Sequence, residues 1–398
     1  MTGLIMVAAM LSAAANGAAK PASKASGPIT IGVGTLVIPG VYDANAQYAP
    51  GITAALGYIK AHGGWGGRKV NVIKCQSPAD PASDTKCYNQ FITGHATAMV
   101  GTLLNAATVG LPALAKAKIP SFSVPLALAD DQSPWEEDTG EGVLASYAAP
   151  ARYMCAKGYK RVSLVRFDAA TEAQAEKEGA DPIFSHCGMS VNTVLIPEGT
   201  ADPAPYIQKA ISNNPQFLYF KAPLPAETVV SDLLTAGFPV SRVMLLPAAA
   251  NSAFFRDPRA VGITILQGYD FPLANNRNRD VHAYLDAMKK YSPHADPLAG
   301  LTMPAFQQIM TIWEVSKAIG FKRVTGAAIQ KYMRTKAVGH LQLFGARAVS
   351  LVHGLPGNKQ PFIHFYRLTP ELLVNLGWWQ GETTCSSRAR CAKGFGGM

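Results

Sequence analysis

The feature that most limits the fold is an alternation of short, unbroken apolar runs with longer stretches of helical spacing, and the alternation occurs twice. A first set of runs comprises Ile29 to Gly34, Val70 to Cys75, Ala98 to Gly101 and Ser121 to Val124. A second comprises Arg161 to Phe167, Val191 to Ile196, Phe217 to Lys221, Val243 to Leu246 and Thr264 to Gln267. Most are continuous rather than alternating, as expected for parallel strands covered on both faces. Between them, Ile52, Ala55, Leu56 and Ile59 follow the i, i+3, i+4, i+7 rule and stop at Gly63-Gly64. Val230, Leu233 and Leu234 repeat it before Gly237, and Phe306, Ile309, Met310 and Trp313 repeat it again. The pattern predicts an α/β chain built from two doubly wound parallel sheets. At 398 residues the chain exceeds what one core usually supports, which agrees with two lobes.

The last third changes character. Helical stretches over Thr302 to Ile319 and Thr325 to Thr335 precede a Gly-rich segment and a strand-like alternation over Phe362 to Leu368. If this part returns to the first lobe, the chain crosses between lobes more than once.

Leu4 to Ala15 is an apolar run too short to span a bilayer, followed by small residues and a Pro/Ser/Lys stretch up to Gly27. It reads as the core of a signal peptide cleaved among Ala13 to Ala19, although no Lys or Arg precedes it. No Cys follows it closely, which argues against a lipid anchor. The six cysteines fall into local pairs, Cys75 with Cys87, Cys155 with Cys187, and Cys385 with Cys391. Their even number and spacing favour disulfides in an oxidising, extracytoplasmic compartment, with free buried thiols as the alternative. A bridge across the Cys75 to Cys87 loop would contribute about 2–3 kcal/mol in the chain-entropy model.

The net charge of +10 raises the question of nucleic acid, but the basic residues are scattered and none of their clusters is interleaved with stacking aromatics. No nucleic-acid partner is expected. Gly32-x-Gly34 lacks the third glycine of a dinucleotide fingerprint, because position 37 is Val37. There is no G-x-S-x-G, P-loop or H-E-x-x-H, and the eight histidines, His353 and His364 included, show no metal-ligand spacing. Asp130-Asp131 and Glu136-Glu137-Asp138 read as a solvated crossover or surface loop. Nothing here calls for a catalytic group, a metal or a cofactor.

The order of these motifs resembles the branched-chain-amino-acid type of periplasmic binding protein, the type I fold that serves ABC transporters. The similarity runs from about Ile29 to Leu376. It rests on ITIGVG, GYIKAHGGWGGRKVNVIKC, AMVGTLLNAATVGLPALAKAKIPSFSV, NNPQFLYFKAP and LLTAGFP, which stand in the family's order and spacing. The resemblance implies two Rossmann-like lobes joined by three crossover segments, a small-molecule ligand in the cleft, and hinge closure that presents a shape to a membrane permease. The expected division is a leader and linker over 1–27, one lobe from 28–146 plus 270–346, another from 147–269 plus 347–384, and a tail over 385–398. A monomer is expected.

In the family, the loop after the third strand holds a ligand carboxylate with backbone amides and a hydroxyl at a helix start, a geometry suited to anions. The corresponding residues here are Leu103, Leu104, Asn105 and Ala106. Asn105 serves equally well as a helix cap, and Thr108 is expected to face its helix. Further cleft candidates are Pro125, Leu126 and Ala127; Thr171 and Glu172; Ala222 and Pro223; and Ala249, Ala250 and Asn251. Tyr42, and less directly Tyr48, could cover the ligand or simply pack against their own lobe. Several positions where amino-acid binders carry polar groups are Leu, Ala or Pro here. An unpaired buried ammonium or carboxylate costs several kcal/mol, so this cleft is expected to take a less polar ligand, such as an aromatic acid, an amide or a larger apolar molecule. The alternatives are a branched-chain amino acid, a stand-alone sensor of the same fold, and a nucleotide-dependent α/β enzyme.

Overall fold

A strand with no polar face must be covered on both sides, and β1 (Ile29–Ile38) is buried over its first eight residues. The computed structural model describes residues 27–38, 42–78, 80–102, 107–125, 127–137, 142–197, 200, 202–222, 224–246, 250–268, 277–335, 342–343, 346–347, 362–369 and 372–380. After β1 come β2 (Tyr42–Asp43), α1 (Ala44–Ala61), β3 (Val70–Ser77), α2 (Pro81–Thr93), β4 (Ala98–Thr102), α3 (Ala107–Lys116) and β5 (Ser121–Val124). The parallel strands lie in the order β3-β1-β4-β5, and β2 pairs antiparallel with the end of β1.

The chain then passes through α4 (Leu128–Gln132) to α5 (Val143–Ala156), β6 (Arg161–Phe167), α6 (Ala170–Gly179), α7 (Asp181–Cys187) and β7 (Ser190–Ile196). It continues with α8 (Ala204–Ile211), β8 (Phe217–Phe220), α9 (Ala226–Thr235), β9 (Val243–Leu245), α10 (Ser252–Arg256) and β10 (Thr264–Gln267). These strands form a second parallel sheet in the order β7-β6-β8-β9-β10. Both sheets therefore start with the same winding, in which the second strand flanks the first on one side and the third flanks it on the other.

Three helices, α11 (Arg279–Tyr291), α12 (Thr302–Ile319) and α13 (Gly326–Thr335), return to the first sheet. Val281, Tyr284, Phe306, Ile309, Ile312 and Ile329 share one core with Ile31, Val33, Ala98 and Phe122. Each large side chain so buried contributes about 1.5–3 kcal/mol. The opposite face is covered by Cys87, Phe91, Leu111 and Leu114 of α2 and α3. A hairpin pairs β11 (Gln342–Leu343) with β12 (Ala346–Arg347). β13 (Phe362–Thr369) and β14 (Leu372–Gln380) then extend the second sheet antiparallel beyond β10. α5, α6 and α7 cover one face of that sheet and α8, α9 and α10 the other. The chain thus crosses between the sheets three times, after β5, after β10 and after α13.

Local chemistry sets the element ends. Asp43 caps α1 by accepting from Ala46 N at 3.0 Å, and Asp80 caps α2 by accepting from Ser83 N at 2.8 Å. α9 runs out at Gly237, which takes the left-handed conformation (φ +70°) that a residue with Cβ resists. α1 and α12 approach so closely that a Cβ on Gly51 would lie 2.1 Å from the carbonyl oxygen of Thr302. Disulfides join Cys75 of β3 to Cys87 of α2 and Cys155 of α5 to Cys187 of α7. Cys385 and Cys391, the leader, His353 and Asp138 lie outside the described residues. His364 is in β13, opposite Trp378.

Candidate ligand-binding site

In wound sheets of this kind, ligands bind beyond the carboxyl ends of the strands, at the point where neighbouring connections run in opposite directions. That point falls between β1 and β4 in the first sheet and between β6 and β8 in the second. On the first side, Tyr42 pairs through its backbone with Ile38 at the end of β1. Leu103, Leu104, Asn105, Ala106, Leu126, Pro223 and Ala249 all lie outside the described residues. Thr108 is exposed on α3. Tyr48 belongs to the core of its own lobe. It is fully buried, and its hydroxyl donates to Gly101 O at 3.2 Å. Burial, and then the Glu136 charge, hold this phenol well above its ordinary pKa, so it stays a donor.

The second switch point is described in detail. β6 ends at Phe167, Asp168 N donates to Ile196 O at 2.8 Å, and α6 begins two residues later. Thr171 is half-buried in the first turn of α6 and Glu172 beside it is buried. Directly after β8, the Lys221 and Ala222 amides both donate to Val165 O, at 2.8 and 3.2 Å. Along β8, Phe217 and Tyr219 face the α5 side of the sheet, and Lys221 continues that row. Its ammonium lies 3.3 Å from Glu172 Oε1 and 5.3 Å from the centre of the Tyr147 ring. Tyr147, on α5, donates its hydroxyl to Glu172 Oε2. Burial first, and the adjacent carboxylate second, push the Tyr147 hydroxyl far above the usual phenol range and keep it protonated.

One helical turn further from the strand end, Arg166 Nε donates to Glu176 Oε2 at 2.6 Å, and Thr193 donates to the other Glu176 oxygen at 2.5 Å. Both ion pairs are almost wholly buried. Each buried charge thus has an opposite charge beside it. Sequence reasoning named Thr171, Glu172 and Ala222 here but passed over Lys221 and Tyr147. The available signal was a lysine placed immediately after the uninterrupted apolar run FLYF.

The acids after β5 correct the sequence reading. Asp130, Asp131, Glu136 and Glu137 are buried rather than solvated. The carboxylates of Asp130, Asp131 and Glu136 accept from backbone donors at the first crossing. Asp130 accepts from Ala127 N at 2.8 Å, while Asp131 accepts from Val143 N and Leu144 N at 3.0 and 2.7 Å, capping α5. Glu136 accepts from both the amide and the hydroxyl of Ser123 at 2.8 Å. Pro125 and Ala127 are buried in the same segment. The physical reason is that a crossing between packed lobes needs anchored ends, and composition alone does not tell an anchored acid from a solvated one.

At the end of β9, Ala250 is buried and Asn251 caps α10 through Phe254 N at 2.9 Å. This region touches the segment between α11 and α12. Asp296 Oδ2 accepts from Ser252 N at 2.7 Å, its other oxygen accepts from the Ser252 hydroxyl and from Leu298 N, and Gly300 N donates to Ala250 O at 3.1 Å. Among the described residues there is no group of three His, Cys, Asp or Glu that could hold a metal, and no helix long and apolar enough to cross a membrane.

The arrangement is one that known proteins share. A substrate-binding protein of an ABC transporter from Aeropyrum pernix superposes with a TM-score of 0.72 at 12% identity, covering 92% of this chain and 99% of that one. A possible leucine/isoleucine/valine-binding protein from Rhodopirellula baltica gives 0.71 at 15% identity, covering 90% and 98%. A solute-binding protein of an ABC transporter from R. palustris, in complex with benzoate, gives 0.68 at 16% identity, covering 88% and 96%. At these identities the likeness is one of fold: two wound lobes of the type I binding-protein class. No curated protein matches the chain in sequence. The profile of the family described as periplasmic binding protein matches residues 28–354. With most of its length matched by that profile, its two sheets wound alike and its chain passing three times between them, this chain belongs to the periplasmic binding protein family.

Proposed function

We propose that the protein is the extracytoplasmic ligand-binding component of an ABC importer, closing its two lobes around a small, rather apolar ligand and delivering it to a membrane permease. The observation that carries this reading is the repeated winding order. It gives each lobe a switch point at its strand ends, so that one ligand can touch both lobes and favour the closed state by its differential affinity. The proposed contact set is Tyr42, Leu103 to Ala106, Pro125 to Ala127, Thr171, Glu172, Ala222, Pro223 and Ala249 to Asn251. The internal pairing of Glu172 with Lys221, and of Arg166 with Glu176, favours a ligand without a free ammonium. The benzoate held by the R. palustris protein supports an aromatic acid or amide as the class to test first. We further propose a monomer that needs no cofactor and performs no chemistry. Its proposed lobes are 28–146 with 270–346 and 147–269 with 347–384; α5 packs with the second sheet from Val143 onward.

Titration calorimetry against benzoate, benzamide, leucine and valine tests the ligand class. Micromolar or tighter binding of an aromatic compound is expected. Tight leucine or valine binding, with the aromatics silent, replaces it with a branched-chain amino acid.

A further inference from the structure

The buried Lys221 is better equipped than an internal ion pair requires. An ammonium has three N–H donors, and among the described residues only Glu172 accepts from it, at 3.3 Å, which is long for a charge-assisted bond. Lys221 is 5% exposed, so bulk water does not readily serve the other two. Burying a charge with most of its bonding capacity unmet is costly, and such a group is kept where something completes it. Glu172 reaches it with one oxygen only, its second oxygen accepting from Tyr147. Tyr147 offers only the face of its ring. The position is also informative: Lys221 follows β8 directly and Glu172 lies in the first turn of α6, just after β6, so the pair stands at the switch point of the second sheet, where a ligand belongs.

We infer that Lys221 is the cation that receives a ligand's carboxylate, held in place by Glu172 and Tyr147, and that it selects an aromatic monocarboxylate over its neutral amide. This rests on the proposed reading of the cleft as a site for a small aromatic ligand and assigns the group that chooses among such ligands. Glu172 is then a positioning residue. It fixes the ammonium through one oxygen while Tyr147, protonated by its surroundings, occupies the other. A consequence follows for the sign of a substitution. Glu172 is a negative charge near the incoming carboxylate, so neutralising it strengthens anion binding, whereas a purely structural Lys221–Glu172 pair would lose stability with no gain in affinity.

The test is calorimetry with benzoate and benzamide on the full chain, with circular dichroism to confirm folding. The wild type binds benzoate about tenfold or more tighter than benzamide, as expected for a charge-assisted pair against a neutral one. Lys221→Met abolishes that preference by weakening benzoate while benzamide stays within about threefold, Lys221→Arg retains it, and Glu172→Gln tightens benzoate. Should Lys221→Met fail to fold, the sign of the Glu172→Gln effect decides alone. A preference for benzoate that survives in Lys221→Met, or benzoate unchanged or weakened in Glu172→Gln, overturns the assignment of Lys221 while leaving the aromatic-ligand reading in place. A wild type that binds neither compound overturns that reading and this inference together.

Discussion

Asp296 ties the segment between the first lobe's α11 and α12 to the start of α10 in the second lobe, and removing its carboxylate tests whether that tie helps to hold the lobes together. Two of its hydrogen bonds go to Ser252, one to the amide and one to the hydroxyl, while a third to Leu298 N stays within its own segment. Hydrogen bonds to a charged acceptor contribute about 1.5–3 kcal/mol each. Losing the two that cross, in a half-buried position where water partly replaces them, is therefore worth about 3 kcal/mol to the arrangement that contains them. At about 1.4 kcal/mol per factor of ten, the ratio of joined to separated lobes falls by roughly 100-fold. A binding-competent state made that much rarer raises the apparent Kd by the same factor when the free protein is mainly open. Asp296→Ala is thus expected to weaken ligand binding by up to about 100-fold, and Ser252→Ala, which removes only the hydroxyl, by about tenfold. Calorimetry with the ligand found in the panel gives the affinities, and small-angle scattering shows whether the Asp296→Ala protein is more expanded than wild type at the same ligand concentration. Affinities within twofold of wild type, with superimposable scattering curves, would refute the idea that this contact distinguishes the two arrangements.

Three further outcomes are expected. Asp131→Ala removes two charge-assisted bonds to the first turn of α5 and should cost about 2–4 kcal/mol in urea unfolding, while Asp131→Asn, which keeps one acceptor, should cost about 1 kcal/mol; equal losses would mean that capping is not what the carboxylate does. The Asp232 carboxyl is raised above its usual pKa, mainly by burial and then by the Asp202 charge. The folded state therefore holds this proton more tightly than the unfolded one, and the charged form lowers stability as pH rises from the unfolded value through the folded one. Asp232→Asn should raise Tm at pH 7 and leave it unchanged near pH 3, and a pH-independent difference would contradict the burial argument. Replacing Cys75 and Cys87 together by Ser should cost about 2–3 kcal/mol, read by thermal or urea unfolding under oxidising conditions, and vanish as a difference when both proteins are reduced.

Much of the fold was legible because burial on both faces leaves a plain signature. Ser121–Val124, Arg161–Phe167 and Thr264–Gln267 are strands over the residues that their apolar runs marked. β14 was not foreseen, since LLVNLGWWQ shows neither clean alternation nor a bounded apolar run, and its strand state depends on antiparallel pairing with β13. The acids of 130–137 were misread for a related reason. Their burial follows from backbone donors at Val143, Leu144, Ser123 and Ala127, which composition does not reveal. At the site, strand ends could be located from the pattern, but Lys221 was absorbed into the preceding strand. Which neighbours surround it depends on α6 and α5, elements 49 and 74 residues away in sequence at their contact points.

The threefold passage of the chain also bears on when each lobe can form. One flank of the sheet built from β1, β3, β4 and β5 is sealed by Val281, Tyr284, Phe306, Ile309 and Ile329, all synthesised after the other sheet's parallel strands. A growing polypeptide that has reached only residue 268 has α1 alone against that flank, so the amino-terminal half cannot complete its core until most of the chain has emerged. Such postponement keeps a newly made protein pliable for longer than a contiguous domain would be.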